Sequence, residues 1–169
     1  MKIDKDIVSK KLQERRSVNE AAGDAALVTQ LNKILADNFV LYVKAAGFHW
    51  NIEGANFLQY HEFLGELYAQ VYGTIDRLAE ELRALKVYAP FSMKSILSNA
   101  SLSEATGVTS SPGSMWGVLL SDIEKNTDSL VEGAKLADAA GELGLSNYFQ
   151  DLIDANKKLA WMLRSISKG

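Results

Sequence analysis

Two histidines, His49 and His61, are the only imidazoles in the chain, and no cysteine accompanies them. They stand twelve residues apart, and an acidic pair, Asp76 and Glu80, follows at a spacing of four. Imidazole nitrogen combined with carboxylate oxygen suits a divalent transition metal better than magnesium or calcium, which favour all-oxygen shells. Without thiolates, the two rings are the only strong nitrogen ligands available, so any transition-metal chemistry must use them.

Helix geometry restricts how these residues can act together. On one helix over residues 56–86, His61 and Asp76 lie roughly 22 Å apart along the axis at about 1.5 Å per residue. One ion needs its donors within about 2–2.6 Å, so His61 and Asp76 of the same helix cannot share an ion. At about 100° per residue, however, His61, Gly65, Asp76 and Glu80 fall within one sector about 100° wide. A second, antiparallel copy of the helix would bring the acidic end of one beside the histidine end of the other. A two-fold dimer supplies that arrangement, because an isologous interface pairs residue i with j and j with i. The residues therefore imply a metal site between subunits or no shared site. The plain alternatives are a helix-end His49 packed near Phe48 and Trp50, a surface His61, and surface ion pairs of Asp76 and Glu80 with Arg77 or Arg83.

The elements that must carry these residues are helical. The only prolines, Pro90 and Pro112, fall in one region, and the long proline-free stretches on either side favour helices. A first helix is expected from Asp24, as N-cap, to about Asn51, with Leu27, Leu31, Ile34, Leu35, Phe39, Tyr42 and Ala46 on its apolar face. Asn56 is placed to cap the second, which carries a stripe of three- and four-residue steps from Phe57 to Leu85. Residues 87–113 read as a long connection with a short helix around MKSIL. A third helix starts near Ser114 and ends at Gly141 and Gly144, with Trp116, Leu119, Ile123, Leu130, Ala134 and Ala137 inward. A fourth runs from Leu145 to Ser167, with Tyr148, Leu152, Leu159, Met162 and Ile166 inward. No strand pattern competes. The fold class is all-α: a ferritin-like four-helix bundle whose long crossover, between the second and third helices, carries a short helix.

The 169 residues suit one domain with a sizeable core. Residues 23–169 form the bundle domain, and residues 1–22 read as an N-terminal arm with a surplus of two basic residues. The absence of cysteine rules out a disulfide framework and fits a reducing compartment. No signal sequence and no membrane span are visible, so the expected location is cytoplasmic. A net charge of −3 argues against a strongly basic nucleic-acid-binding body. No Glu-x-x-His motif occurs, so the di-iron site that ferritin-like bundles build inside one subunit is not expected.

The runs Phe48-His49-Trp50-Asn51-Ile52-Glu53-Gly54-Ala55-Asn56-Phe57, Tyr60-His61-Glu62-Phe63 and Asp76-Arg77-Leu78-Ala79-Glu80 closely resemble the DNA-protection-during-starvation (Dps) family, the mini-ferritins. The similarity extends from about Leu31 through Trp161. The resemblance implies a hollow homododecamer with iron sites at its two-fold interfaces, where Fe(II) is oxidised, preferably by hydrogen peroxide, and stored as ferric mineral. No organic cofactor is implied. By the same resemblance, His49 reaches the tighter iron position, Asp76 and Glu80 come from the two-fold mate, and His61 stands near the weaker position. Trp50 matches a tryptophan beside the centre that can absorb an oxidising equivalent; its plain alternative is a buried aromatic of the bundle. Family members that bind DNA use flexible basic tails, which makes the arm a candidate for weak, non-specific DNA binding. Iron entry through acidic three-fold pores makes Glu142, Asp151 and Asp154 candidates, with solvated carboxylates as the plain alternative.

One position departs from the family pattern. Four residues after the second histidine, where an aspartate is usual, this chain has Gly65. The first iron position is then complete while the second lacks a carboxylate. The expected consequence is one tightly held iron per site and slower or one-iron-at-a-time oxidation. The competing reading is a shell-forming or DNA-binding protective protein whose ferroxidase site is impaired.

Overall fold

The computed structural model describes residues 5–107 and 111–168, with side chains from Asp24 onward. Five helices follow in order: α1 (Lys5–Asn51), α2 (Phe57–Ala84), the short α3 (Met93–Asn99), α4 (Pro112–Ala139) and α5 (Leu143–Ile166). No strand occurs among the described residues. The bundle consists of α1, α2, α4 and α5; α3 packs on α1 within the crossover.

Several expected boundaries move. Helix α1 begins at Lys5, so Asp24 lies inside it and is not its N-cap. Residues 5–22 contain no proline and are rich in helix formers, and Gly23 alone costs only about 1 kcal/mol relative to alanine. The backbone of the expected arm is thus continuous with α1 from Lys5, while its side chains lie outside the described residues. Asn56 does occupy the N-cap position of α2, but without a side-chain cap. Its amide instead donates to the Tyr60 hydroxyl at 3.2 Å. Helix α4 starts with Pro112 in its first turn, where the missing N–H has no helical partner to lose. Gly144 does not end a helix; it sits in the first turn of α5. The α4 end is made by Gly141 alone, at φ +79°. Its N–H donates to the Asp138 carbonyl, and the Glu142 N–H donates to the Ala137 carbonyl, the paired bonds of a Schellman cap.

Hydrogen bonds fix the helix directions. His49 meets His61 and Asn38 meets Thr74, so α1 and α2 are antiparallel. Lys44 meets Asp122 and Asn38 meets Asn126, so α4 also runs against α1. Asn126 meets Asn156, and Arg164 meets Glu124, so α5 runs against α4. Helices α2 and α4 are therefore parallel, and the chain must travel the length of the bundle between them. That is why the connection is long. It is pinned by Asp37 on α1, which is fully buried. The Asp37 carboxylate accepts from the Ser101 and Leu102 backbone N–H groups at 2.6 and 2.9 Å and from the Ser101 hydroxyl at 2.8 Å. Ser92 caps α3 in a reciprocal box with Ser95.

Two apolar clusters fill the bundle. One, around Leu27, Leu31, Ile34, Leu78, Leu82 and Phe149, lies away from the histidines. The other, around Phe48, Ile52, Leu64, Leu67, Trp116 and Leu163, lies beneath them. Between them runs a polar seam in which Asn156 donates to Asn126 at 2.9 Å and Asn126 donates to Asn38 at 3.1 Å. Lys44 and Asp122 form a buried ion pair across α1 and α4. The expected inward faces hold with local corrections: Phe39, Tyr42, Ala134, Leu152, Met162 and Ile166 are only partly buried, whereas Phe149 and Leu163 are fully buried. Where α2 meets α5, the Arg77 guanidinium lies 3.6 Å from the Tyr148 ring centre. Burial pushes the Tyr148 phenol above its ordinary value, with the Arg77 charge acting in the opposite direction.

Candidate metal centre

The last turn of α1 and the first turns of α2 bring His49 and His61 together. The two imidazoles stack with ring centres 3.7 Å apart and planes inclined by 23°. Each is held by the backbone of the other. His49 Nδ1–H donates to the His61 carbonyl at 2.7 Å, and His61 Nδ1–H donates to the His49 carbonyl at 2.9 Å. A carbonyl can only accept, so both Nδ1 atoms carry protons, which leaves Nε2 as the nitrogen that can ligate. An Nδ1–H held by a carbonyl is the usual support for an imidazole that ligates metal through its other nitrogen. Phe57 covers the outer side of His61, with centres 5.0 Å apart, and Tyr68 meets His49 edge-on at 5.1 Å.

Gly65 stands one turn beyond His61 on α2, against the His49 ring. A Cβ at this position would lie 3.4 Å from His49 Cε1 and 3.5 Å from Nδ1. An aspartate here would therefore be rooted against the His49 ring, one helical turn from His61. Its absence leaves the two nitrogens without a carboxylate at position 65; the neighbouring Glu62 and Glu66 are exposed and form no three-ligand group with them among the described residues.

Asp76 and Glu80 are exposed on the same helix. The expected surface pairs with Arg77 and Arg83 do not form. Arg77 pairs with Glu81 at 3.5 Å, and Arg83 donates to the Val87 carbonyl and lies over Tyr88. Among the described residues, neither Asp76 nor Glu80 has an ion-pair or hydrogen-bond partner, and no three candidate ligands within one chain converge on a metal position. One subunit thus brings His49 and His61 together but does not bring Asp76 or Glu80 to them.

Trp50 is 71% exposed, so it is not a buried aromatic of the bundle. It borders a 470 Å³ cavity between α1, α3 and the crossover, lined also by Phe39, Val43, Met93 and Leu97. Among the described residues its ring pairs with neither histidine ring. Glu142, Asp151 and Asp154 are exposed, and Asp154 pairs loosely with Lys157 at 3.7 Å. Sequence reasoning missed the tyrosines beside His49. Tyr68 and Tyr72 stand on the Gly65–Asp76–Glu80 stripe at three- and four-residue steps, a register that was readable in the chain.

A ferritin-like domain family matches residues 28–168. A DNA protection during starvation protein of Brevibacillus brevis is 33% identical over 135 residues, which are 80% of this chain and 90% of that protein. The crystal structure of antigen TpF1 from Treponema pallidum is similar with a TM-score of 0.84 at 32% identity, covering 88% of this chain and 96% of the other. A Dps protein from Vibrio cholerae O1, a member of a broad superfamily of ferritin-like diiron-carboxylate proteins, gives a TM-score of 0.80 at 29% identity, covering 85% and 90%. The domain match takes in most of the chain, and both fold and sequence agree with proteins that carry the Dps name. The chain belongs to the Dps family of ferritin-like proteins.

Proposed function

We propose that this protein assembles as a hollow homododecamer in the cytoplasm and oxidises Fe(II) with hydrogen peroxide at sites shared by two-fold-related subunits, storing the ferric product. The observation that carries this reading is the divided ligand set. Two oriented imidazoles stand at one end of α2, and two carboxylates, with no ion-pair or hydrogen-bond partner among the described residues, begin roughly 22 Å away along the same helix. An antiparallel second copy joins the halves twice over, once at each end. In that arrangement His49 and His61 supply Nε2 donors, and Asp76 and Glu80 of the mate supply oxygen donors and lower the charge of the bound ion. Carboxylate donors favour the ferric product, because they stabilise the higher charge more. With Gly65 in place of a carboxylate, one Fe(II) is held tightly per site.

The test is anaerobic Fe(II) loading followed by peroxide, with ferric absorbance recorded for wild type and for the double variant Asp76→Ala, Glu80→Ala. Fast ferric formation that disappears in the variant is the expected result. Equal, slow signals from both would sink the reading.

Gly65 favours a second reading specifically: a protective shell that binds DNA weakly through residues 1–22 and no longer turns iron over. It predicts that equal, slow signal, together with a DNA complex that forms at low salt.

A further inference from the structure

A cleft of 590 Å³ opens at the end of the bundle where α2 and α4 begin and α5 ends. Neither histidine lines it, nor does Asp76 or Glu80. Its walls carry proton donors that have nothing to bond. Trp116 is only 2% exposed, and its Nε1–H has no hydrogen-bond partner among the described residues. No enclosed side-chain nitrogen or oxygen among the described residues lacks a partner. The indole N–H is therefore not enclosed, and the open space that the ring borders is this cleft. Tyr60 and Phe63 hold the ring edge-on, with centres 4.9 and 6.1 Å away, and so fix the direction of that N–H.

Two further donors border the cleft. The Tyr60 oxygen accepts from the Asn56 amide at 3.2 Å, which leaves the Tyr60 proton without an acceptor among the described residues. In the first turn of α4, the Ser114 and Met115 N–H groups both go to the Ser111 carbonyl, while the Gly113 N–H has no partner among the described residues. Gly113 presents that N–H without obstruction, since a Cβ there would meet nothing closer than Ser111 Oγ at 4.0 Å. The Ser167 hydroxyl is already spent on the Leu163 carbonyl at 2.7 Å. Three free donors around one space call for a ligand with acceptor oxygens.

Helix ends set the charge of that ligand. Helices α2 and α4 both start at the cleft, and neither has a side-chain cap. Each N-terminus carries about half a positive charge, and the end of α5 subtracts about half. No lysine or arginine lines the walls. Glu53, exposed on the rim, opposes an anion, but water screens it while the N–H groups would touch the ligand directly. A surplus this small suits one negative charge and not two. The space exceeds a bare ion, and Pro112 and Ile166 give it apolar walls. We propose that the cleft binds a small organic monocarboxylate. Gly113 N–H, Trp116 Nε1–H and Tyr60 O–H hold its carboxylate, and its apolar body lies against Pro112 and Ile166.

The experiment titrates the assembled, iron-free protein by calorimetry with 4-bromobenzoate and with its neutral analogue 4-bromobenzamide. Crystals soaked in the acid locate the bromine by anomalous scattering. Saturable binding of the acid about tenfold tighter than the amide is expected, with the bromine in this cleft. Trp116→Phe keeps the ring packing and loses the N–H, so affinity should fall about tenfold with the melting temperature retained. Tyr60→Phe, at a half-buried position, should weaken binding several-fold and stands in should Trp116→Phe fail to fold. Glu53→Gln should tighten binding, because a like charge leaves the rim. Equal affinity for acid and amide, a bromine placed only in the cavity beside Trp50, or no saturable binding would overturn the proposal. So would weaker binding in Glu53→Gln, an affinity unchanged in both Trp116→Phe and Tyr60→Phe, or inorganic phosphate bound more tightly than the acid.

Discussion

Gly65 decides more about this site than any ligand that is present. The two histidines are fixed in tautomer by each other's backbone, so their nitrogen donors need no rearrangement to receive an ion. What the site lacks is an oxygen donor at position 65, and the structure has room for one. A Cβ at position 65 would touch the His49 ring at ordinary contact distance. Gly65→Asp should therefore raise tight Fe(II) binding from about one to about two ions per site, because a carboxylate there adds the hard donor that the second position lacks. Calorimetric titration with Fe(II) under anaerobic conditions checks this. Two equally tight ions already bound by the wild type would show that another residue supplies the missing oxygen.

The helices owe their register to buried polar groups as much as to apolar packing. Lys44 and Asp122 pair where α1 crosses α4, both nearly inaccessible to solvent. Removing one partner leaves a buried charge uncompensated, so Lys44→Met should cost about 3–5 kcal/mol. Adding Asp122→Leu should recover most of that loss, because apolar replacement of both partners is close to neutral. Thermal or denaturant unfolding of the single and double variants tests the pair. Gly133 serves the same register by close approach. A Cβ there would lie 2.9 Å from Ile34 Cδ1 and 3.0 Å from Phe149 Cε2. Gly133→Ala should destabilise by about 1–3 kcal/mol through overpacking, although alanine is the better helix former. A melting temperature raised by this change would show that the α1–α4–α5 contact is looser than these distances.

For the whole molecule, the question is what covers the exposed stripe of α2 that carries Tyr72, Asp76 and Glu80. In the proposed assembly a second subunit covers it, and size-exclusion chromatography with light scattering should give twelve subunits per particle. Replacing Tyr72 by Asp should lower the assembly state, because a charge would enter that interface unpaired. DNA binding belongs to the second reading and acts through multiplicity. Weak contacts by residues 1–22, repeated around a shell, would add by avidity. Any such complex should be seen in a low-salt gel shift, fade as salt rises, and vanish when residues 1–22 are removed.

Much of this protein was legible in its sequence because helical periodicity is local. The stripe from Leu64 to Leu82, the Ser-rich connection with its MKSIL helix, and the common face of His61, Gly65, Asp76 and Glu80 all follow from spacing alone. So did the conclusion that one helix cannot join His61 to Asp76, which needs only a rise per residue. Helix starts were less legible. Asp24 has the side chain of a cap, but the residues before it favour helix too, and only the folded chain shows which preference prevails. Tertiary structure alone decided the relations across helices. The reciprocal imidazole–carbonyl bonds, the Lys44–Asp122 pair and the Tyr68–Tyr42–Tyr72 contacts join residues from 12 to 78 positions apart. All of them cross from one helix to another, where spacing along the chain carries no information about which side chains meet.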